Sequence, residues 1–246
     1  MLYSETLWKR PHSFEIHEYK INIQRINASK TRIEQQTRIE KISLVAFLDK
    51  HQKRKFFNIS RALKRIDNKF YQNNNLHVTF FGFGPLSRQV TYKIDKRINE
   101  FFKRIKCMEL CLSFDTLRLG TMYSGHKNAK PVQISSNGTV IALGEVKHNR
   151  DFFILSNKLT TFLLQDKCIN LILGKNFRRK FPTVWITLGY FDRSKKFAVN
   201  NDLQEFFEKY QSLNKKSFSF RISQINLVKS NYKNLRYKKL ISQYSI

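Results

Sequence analysis

Two side chains on one short apolar run are able to do chemistry. In Leu76-His77-Val78-Thr79-Phe80-Phe81-Gly82-Phe83-Gly84 an imidazole and a hydroxyl stand two residues apart. The run is rich in aromatic and β-branched residues and closes on Gly84-Pro85, which reads as a buried strand ending in a turn. Side chains alternate along a strand, so His77 and Thr79 point to one face while Val78 and Phe80 point to the other. An imidazole moves protons near neutral pH and a hydroxyl donates to an oxygen, so the pair suits a phosphate. The plainer reading of so short a pattern is a partly buried His and Thr on an amphipathic strand.

A second copy changes the weighing. Val184-Trp185-Ile186-Thr187-Leu188-Gly189-Tyr190-Phe191 sets Trp185-Ile186-Thr187-Leu188 against His77-Val78-Thr79-Phe80. Both runs end in Gly and aromatics, and both precede a helical pattern. A strand with Thr at the same offset, repeated once, suggests a duplicated unit with pseudo-twofold symmetry.

On these residues the chain resembles the two-histidine phosphoesterase superfamily, which includes the RNA 2′,3′-cyclic phosphodiesterases once named 2′-5′ RNA ligases. The resemblance implies an α+β, bilobed, duplicated fold, with two antiparallel sheets flanked by outer helices around a central cleft. It implies two His-x-Thr/Ser strands facing each other, with the histidines as general base and acid and the hydroxyls holding phosphate oxygens without a metal or other cofactor. His77, Thr79 and Thr187 then form the catalytic set. Trp185 stands where the family has its second histidine, and its indole nitrogen only donates. His126 and His148, in loops, are the two candidates to replace that histidine. Trp185 otherwise offers a face for stacking a base, or fills core.

The charge names a partner. Across 246 residues there are 46 Lys and Arg against 18 Asp and Glu, a net +28. Such an excess points to nucleic acid first and to an anionic membrane surface second. Basic residues interleave with aromatics in Phe177-Arg178-Arg179-Lys180-Phe181 and in Tyr232-Lys233-Asn234-Leu235-Arg236-Tyr237-Lys238-Lys239, the pattern of single-stranded RNA binding. Arg178 and Arg179 are taken with Trp185 as substrate-binding residues. A solvated basic face is the commoner fate of any one such cluster, so the excess over the whole chain carries the argument.

Several chemistries lack their signature. There is no zinc-type Cys/His spacing, no GxxxxGK loop, no Gly-x-Ser-x-Gly and no paired-carboxylate pattern, and acidic residues are too few for a Mg²⁺ nuclease site. Three cysteines, Cys107, Cys111 and Cys168, fit a reducing intracellular, cytoplasmic setting. No apolar run has the length of a signal peptide or a membrane span.

The elements that must position the site follow from periodicity. Residues 1–40 are an appendage outside the resemblance, with a bulged strand around Phe14–Ile23 and a polar helix over Ser29–Glu40; residues 41–246 are the phosphoesterase-like domain. Ile42–Leu48 is a strand. Phe56, Ile59, Leu63, Ile66 and Phe70 form a helical stripe, as do Ile94, Ile98, Phe101 and Ile105, and later Leu203, Phe206, Phe207, Tyr210 and Leu213. Met108–Phe114 alternates as a strand, with Cys107 and Cys111 on one face as small apolar residues. Asn137-Gly138 signals a hairpin, which the resemblance implies crosses between the lobes. Phe152–Leu164 is a helix, Phe218–Val228 a strand and Leu240–Ile246 the last one. The expected function is that of an RNA-end phosphoesterase-like protein acting on or recognising 2′,3′-cyclic or 2′-phosphate termini. The alternative is a catalytically inactive RNA-binding relative, such as a ribonucleoprotein component, and a membrane-peripheral or protein-interaction module is a third reading.

Overall fold

The computed structural model describes residues 36–105, 109–119, 138–174, 183–191, 201–210, 213, 218–232, 235 and 238–246. Among these the order is β1 (Gln36–Phe47), α1 (Lys50–Ile66), β2 (Phe70–Gln72), β3 (His77–Gly84), α2 (Arg88–Arg104), β4 (Leu110–Ser113), β5 (Thr116–Leu119), β6 (Thr139–Glu145), α3 (Arg150–Leu164), α4 (Lys167–Leu173), β7 (Thr183–Phe191), α5 (Asn201–Lys209), β8 (Ser219–Ile222), β9 (Gln224–Tyr232) and β10 (Lys239–Ser245). Eight strands make one antiparallel sheet in the order β10-β9-β1-β3-β7-β6-β5, with β2 also paired to β7; β4 and β8 make a second, two-stranded sheet. This is the expected α+β class with two antiparallel sheets.

The helices bury the stripes read from the sequence. Asp49 caps α1 in a reciprocal box with Gln52, satisfying two of the donors that a helix start leaves open. Phe56, Ile59 and Leu63 are fully buried. The helix stops at Ile66, before the predicted Phe70. Asp67 turns extended and its carboxylate accepts the Lys69 N–H, which frees Phe70 to open β2 against Phe191. Ser87 caps α2, and Ile94, Ile98 and Phe101 face the core. On the opposite side of the central strands from the motif residues, the Phe80 ring packs on Phe152 of α3 at 4.6 Å between centroids.

The duplication is written into the strand register. The two halves of the large sheet join where Val78 of β3 pairs with Ile186 of β7, and both are fully buried. A half-turn exchanging these residues exchanges His77 with Trp185 and Thr79 with Thr187. On the β1 side Thr79 pairs Val45 while Phe81 pairs Leu44, leaving Phe80 as the extra residue of a bulge. On the β6 side Thr187 pairs Ile141 while Gly189 pairs Val140, leaving Leu188 extra. The bulges therefore fall on equivalent residues, each directly after the motif Thr. The partner strands match too: Ser43-Leu44-Val45-Ala46-Phe47 of β1 corresponds to Thr139-Val140-Ile141-Ala142-Leu143 of β6. Bulges of this kind bend a strand and re-aim its side chains, and they recur beside functional sites.

Gly189 follows its bulge under tight constraint. A Cβ there would collide with the Phe70 ring and the Tyr71 carbonyl oxygen, so β2 can lie against β7 only because the position is glycine.

Four expectations need correction. Gln36–Glu40, expected at the end of a helix, is the start of β1. Phe218–Val228 is two strands, not one. β8 pairs β4 in the small sheet, and β9 pairs β1 and β10 in the large one. α4 carries no long apolar stripe and was not anticipated. Cys111 is exposed instead of packed. The expected N-terminal elements over 14–35, Cys107, and the first arm of the 137–138 hairpin lie outside the described residues.

Candidate phosphate-binding face

His77, Thr79, Trp185 and Thr187 emerge together on one face of the large sheet. Antiparallel extension from the Val78–Ile186 pair sets His77 opposite Thr187 and Thr79 opposite Trp185, and directly opposed residues share a face. Burial agrees: all four are only partly buried, while Val78, Phe80, Val184, Ile186 and Leu188 between and beside them are fully buried. The register continues outward on both sides. On the β1 side Phe47 pairs His77 and Val45 pairs Thr79, and on the β6 side Ile141 pairs Thr187 and Leu143 pairs Trp185. Four polar-tipped side chains thus form a square at the junction of the halves, walled by aliphatic and aromatic neighbours.

The imidazole is held in a defined state. His77 Nδ1 lies 2.6 Å from the Asn75 carbonyl oxygen. A carbonyl only accepts, so Nδ1 carries the hydrogen and Nε2 presents its lone pair in the neutral ring. Desolvation by burial is the main cause that lowers the His77 pKa from 6.5 to about 4; the Asn75 contact works against it, and the positive charge of Lys238 adds to it. At neutral pH the ring is an uncharged proton acceptor, the state a general base requires.

A buried asparagine fixes this arrangement to the other half. Asn73, 1% exposed, donates from Nδ2 to the Thr187 carbonyl at 2.9 Å. Its backbone N–H donates to the Leu188 carbonyl at 2.9 Å, and its Oδ1 accepts the Asn75 N–H at 3.1 Å. Asn75 then accepts from His77. The two motif strands are joined across the seam by side-chain hydrogen bonds as well as by the ladder.

Beside His77 the rim is aromatic and cationic. The Phe47 ring stands 5.9 Å from the imidazole. Lys238 Nζ lies 4.6 Å from the Phe47 ring centroid and donates to Asn75 Oδ1 at 3.1 Å. Leu235 buries against Val45, Val228 and Phe47.

Of the residues singled out from sequence, the structure brings together His77, Thr79, Trp185 and Thr187. Arg178, Arg179 and His126 lie outside the described residues. His148, in the turn after β6, places Nδ1 2.9 Å from Asp115 Oδ1. Sequence reading missed Asn73, Asn75 and Phe47. Lys238 belonged to the second basic–aromatic segment but had no individual signal. Among the described residues no His, Cys, Asp and Glu group has the makings of a metal centre, and no helix is long and apolar enough to cross a membrane.

The fold is shared with solved structures that include a phosphoesterase and E. coli LigT. Solved structures share it over nearly their whole length. A crystal structure described simply as that of a phosphoesterase superposes with a TM-score of 0.54 at 14% identity, covering 84% of this chain and 98% of its own. TT0787 of Thermus thermophilus gives 0.56 at 11%, covering 83% and 97%. E. coli LigT complexed with NADP+ gives 0.52 at 14%, covering 85% and 98%. No family model matches the chain, and no curated protein matches it either.

Proposed function

We propose that this protein binds RNA ends carrying a 2′,3′-cyclic or 2′-phosphate on the His77–Thr79–Trp185–Thr187 face, with His77 as its one acid/base group. The observation that carries the reading is the square of four polar-tipped residues at the twofold seam, with an imidazole locked as a neutral acceptor. The same fold in E. coli LigT has been solved complexed with phosphate and with 3′-AMP.

In this reading the Thr79 and Thr187 hydroxyls donate to phosphate oxygens. His77 Nε2 takes the proton of an attacking water as its oxygen bonds to phosphorus. One ring P–O bond then breaks, and the leaving ribose oxygen takes a proton from solvent, because the Trp185 indole has none to give at working pH. A missing general acid slows such a step by about 10²–10⁴. The Trp185 ring stacks a base, and Arg178 and Arg179, which precede β7 in sequence, neutralise the RNA backbone.

A second reading, a non-catalytic RNA-binding relative, is favoured by Trp185 itself, since the half-turn through Val78–Ile186 puts it at the position matching His77. One experiment separates the two. Turnover of an RNA 2′,3′-cyclic phosphate by the wild type is expected to be slow, dependent on His77, and single-limbed in pH. Trp185→His is expected to raise it by about 10² or more. Turnover in Trp185→His alone decides for the non-catalytic reading. If His77→Ala changes neither turnover nor binding, both fail.

A further inference from the structure

We infer that Lys238, over the floor made by Phe47, forms a subsite for the phosphate one nucleotide in from the bound RNA end. The strand then leaves the face on the His77 side, toward the first turn of α1. This rests on the reading of the motif face as an RNA-end site and adds a direction and a second contact to it.

Lys238 is exposed but has two partners. Its ammonium is fixed between the Asn75 amide oxygen and the Phe47 ring. Asn75 also holds His77 through its carbonyl, so one residue sets the positions of both the imidazole and the ammonium. Desolvation by burial is the main cause that lowers the Lys238 pKa, and the charge of Lys53, in the first turns of α1, adds to it. Among the described residues no carboxylate stands within ion-pair distance of either lysine. An ammonium set beside the imidazole, with no carboxylate to balance it, favours an anion, and a phosphate is that anion. The connection to the motif is short. Phe47 pairs with His77, and α1 begins at Lys50. Beyond the subsite α1 continues with exposed Lys50 and Arg54, and the helix contains no acidic residue.

The test compares two probes, adenosine 2′,3′-cyclic phosphate and an adenosine dinucleotide ending in the same cyclic phosphate. Dissociation constants are measured for wild type, Lys238→Gln, Lys238→Arg and His77→Ala. The wild type is expected to prefer the dinucleotide by roughly tenfold, the scale of a charge-assisted phosphate contact. Lys238→Gln is expected to bring the ratio near one, and Lys238→Arg to restore most of it. The log–log salt slope for the dinucleotide should drop by about 0.7 in Lys238→Gln. No preference in the wild type, a preference that survives Lys238→Gln, or equal weakening of both probes overturns the subsite. Loss of His77 dependence with the dinucleotide preference intact instead removes the motif-face reading and leaves the subsite standing.

Discussion

Replacing His77 with Gln should change how stability responds to acid. The folded pKa is about 4 and the ordinary value is 6.5, with desolvation as the chief cause. Between these values the unfolded chain binds a proton at His77 that the folded chain refuses. The slope of unfolding free energy with pH follows protons bound in the unfolded minus the folded state, so it is positive here. Stability from this group is therefore complete above about pH 6.5 and declines as pH falls toward 4. Integrating from pH 7.5 to pH 4.5 gives a loss of about 2.5 kcal/mol. Urea unfolding at those two pH values, for wild type and His77→Gln, isolates the contribution because the remaining groups titrate alike in both proteins. The wild type should lose about 2.5 kcal/mol more than the variant. A double difference near zero, or an imidazole titrating near pH 6.5 by NMR, would refute the picture of a desolvated ring held neutral by Asn75. Bound phosphate should move the His77 pKa upward, since an adjacent anion favours the imidazolium.

Other outcomes follow from the same contacts. Asn73→Ala should destabilise the protein by about 1–3 kcal/mol, because the Thr187 carbonyl and the Asn75 N–H each lose a buried partner; thermal unfolding measures it, and a change below a few tenths would show the link to be idle. Gly189→Ala should cost at least about 1–3 kcal/mol through overpacking against Phe70 and Tyr71, read by the same melt. Single-stranded RNA binding should weaken with salt by about 0.7 log units per phosphate contacted. Arg178→Ala combined with Arg179→Ala should lower that affinity without moving Tm; a flat salt dependence would leave the net charge of +28 without its proposed partner.

The strands and helices that build the face were legible because their signals are local. His77-Val78-Thr79-Phe80 alternates over buried Val78 and Phe80, and Phe56, Ile59 and Leu63 repeat at helical spacing. What escaped depends on pairing between distant segments. Phe70 fits the α1 stripe by spacing, yet Asp67 ends the helix first. The bulges at Phe80 and Leu188 exist only in relation to β1 and β6. Ser223 separates two strands that belong to different sheets, and nothing in the alternation of Phe218 to Val228 announces the change of partner. Asn73, Asn75 and Lys238 act through contacts between segments far apart in the sequence, so composition alone made them a loop and a charge.

The half-turn through Val78 and Ile186 has a consequence for polarity. A face with identical residues at the His77 and Trp185 positions presents the same groups to a phosphodiester and to its reversed image, so a strand end has two equivalent ways to lie on it. With an imidazole on one side and an indole on the other, those two ways become chemically distinct. On the proposed reading, only one of them would set the attacking oxygen against His77 and a nucleobase against Trp185. The departure from symmetry at His77 and Trp185 would then give a bound strand a head and a tail.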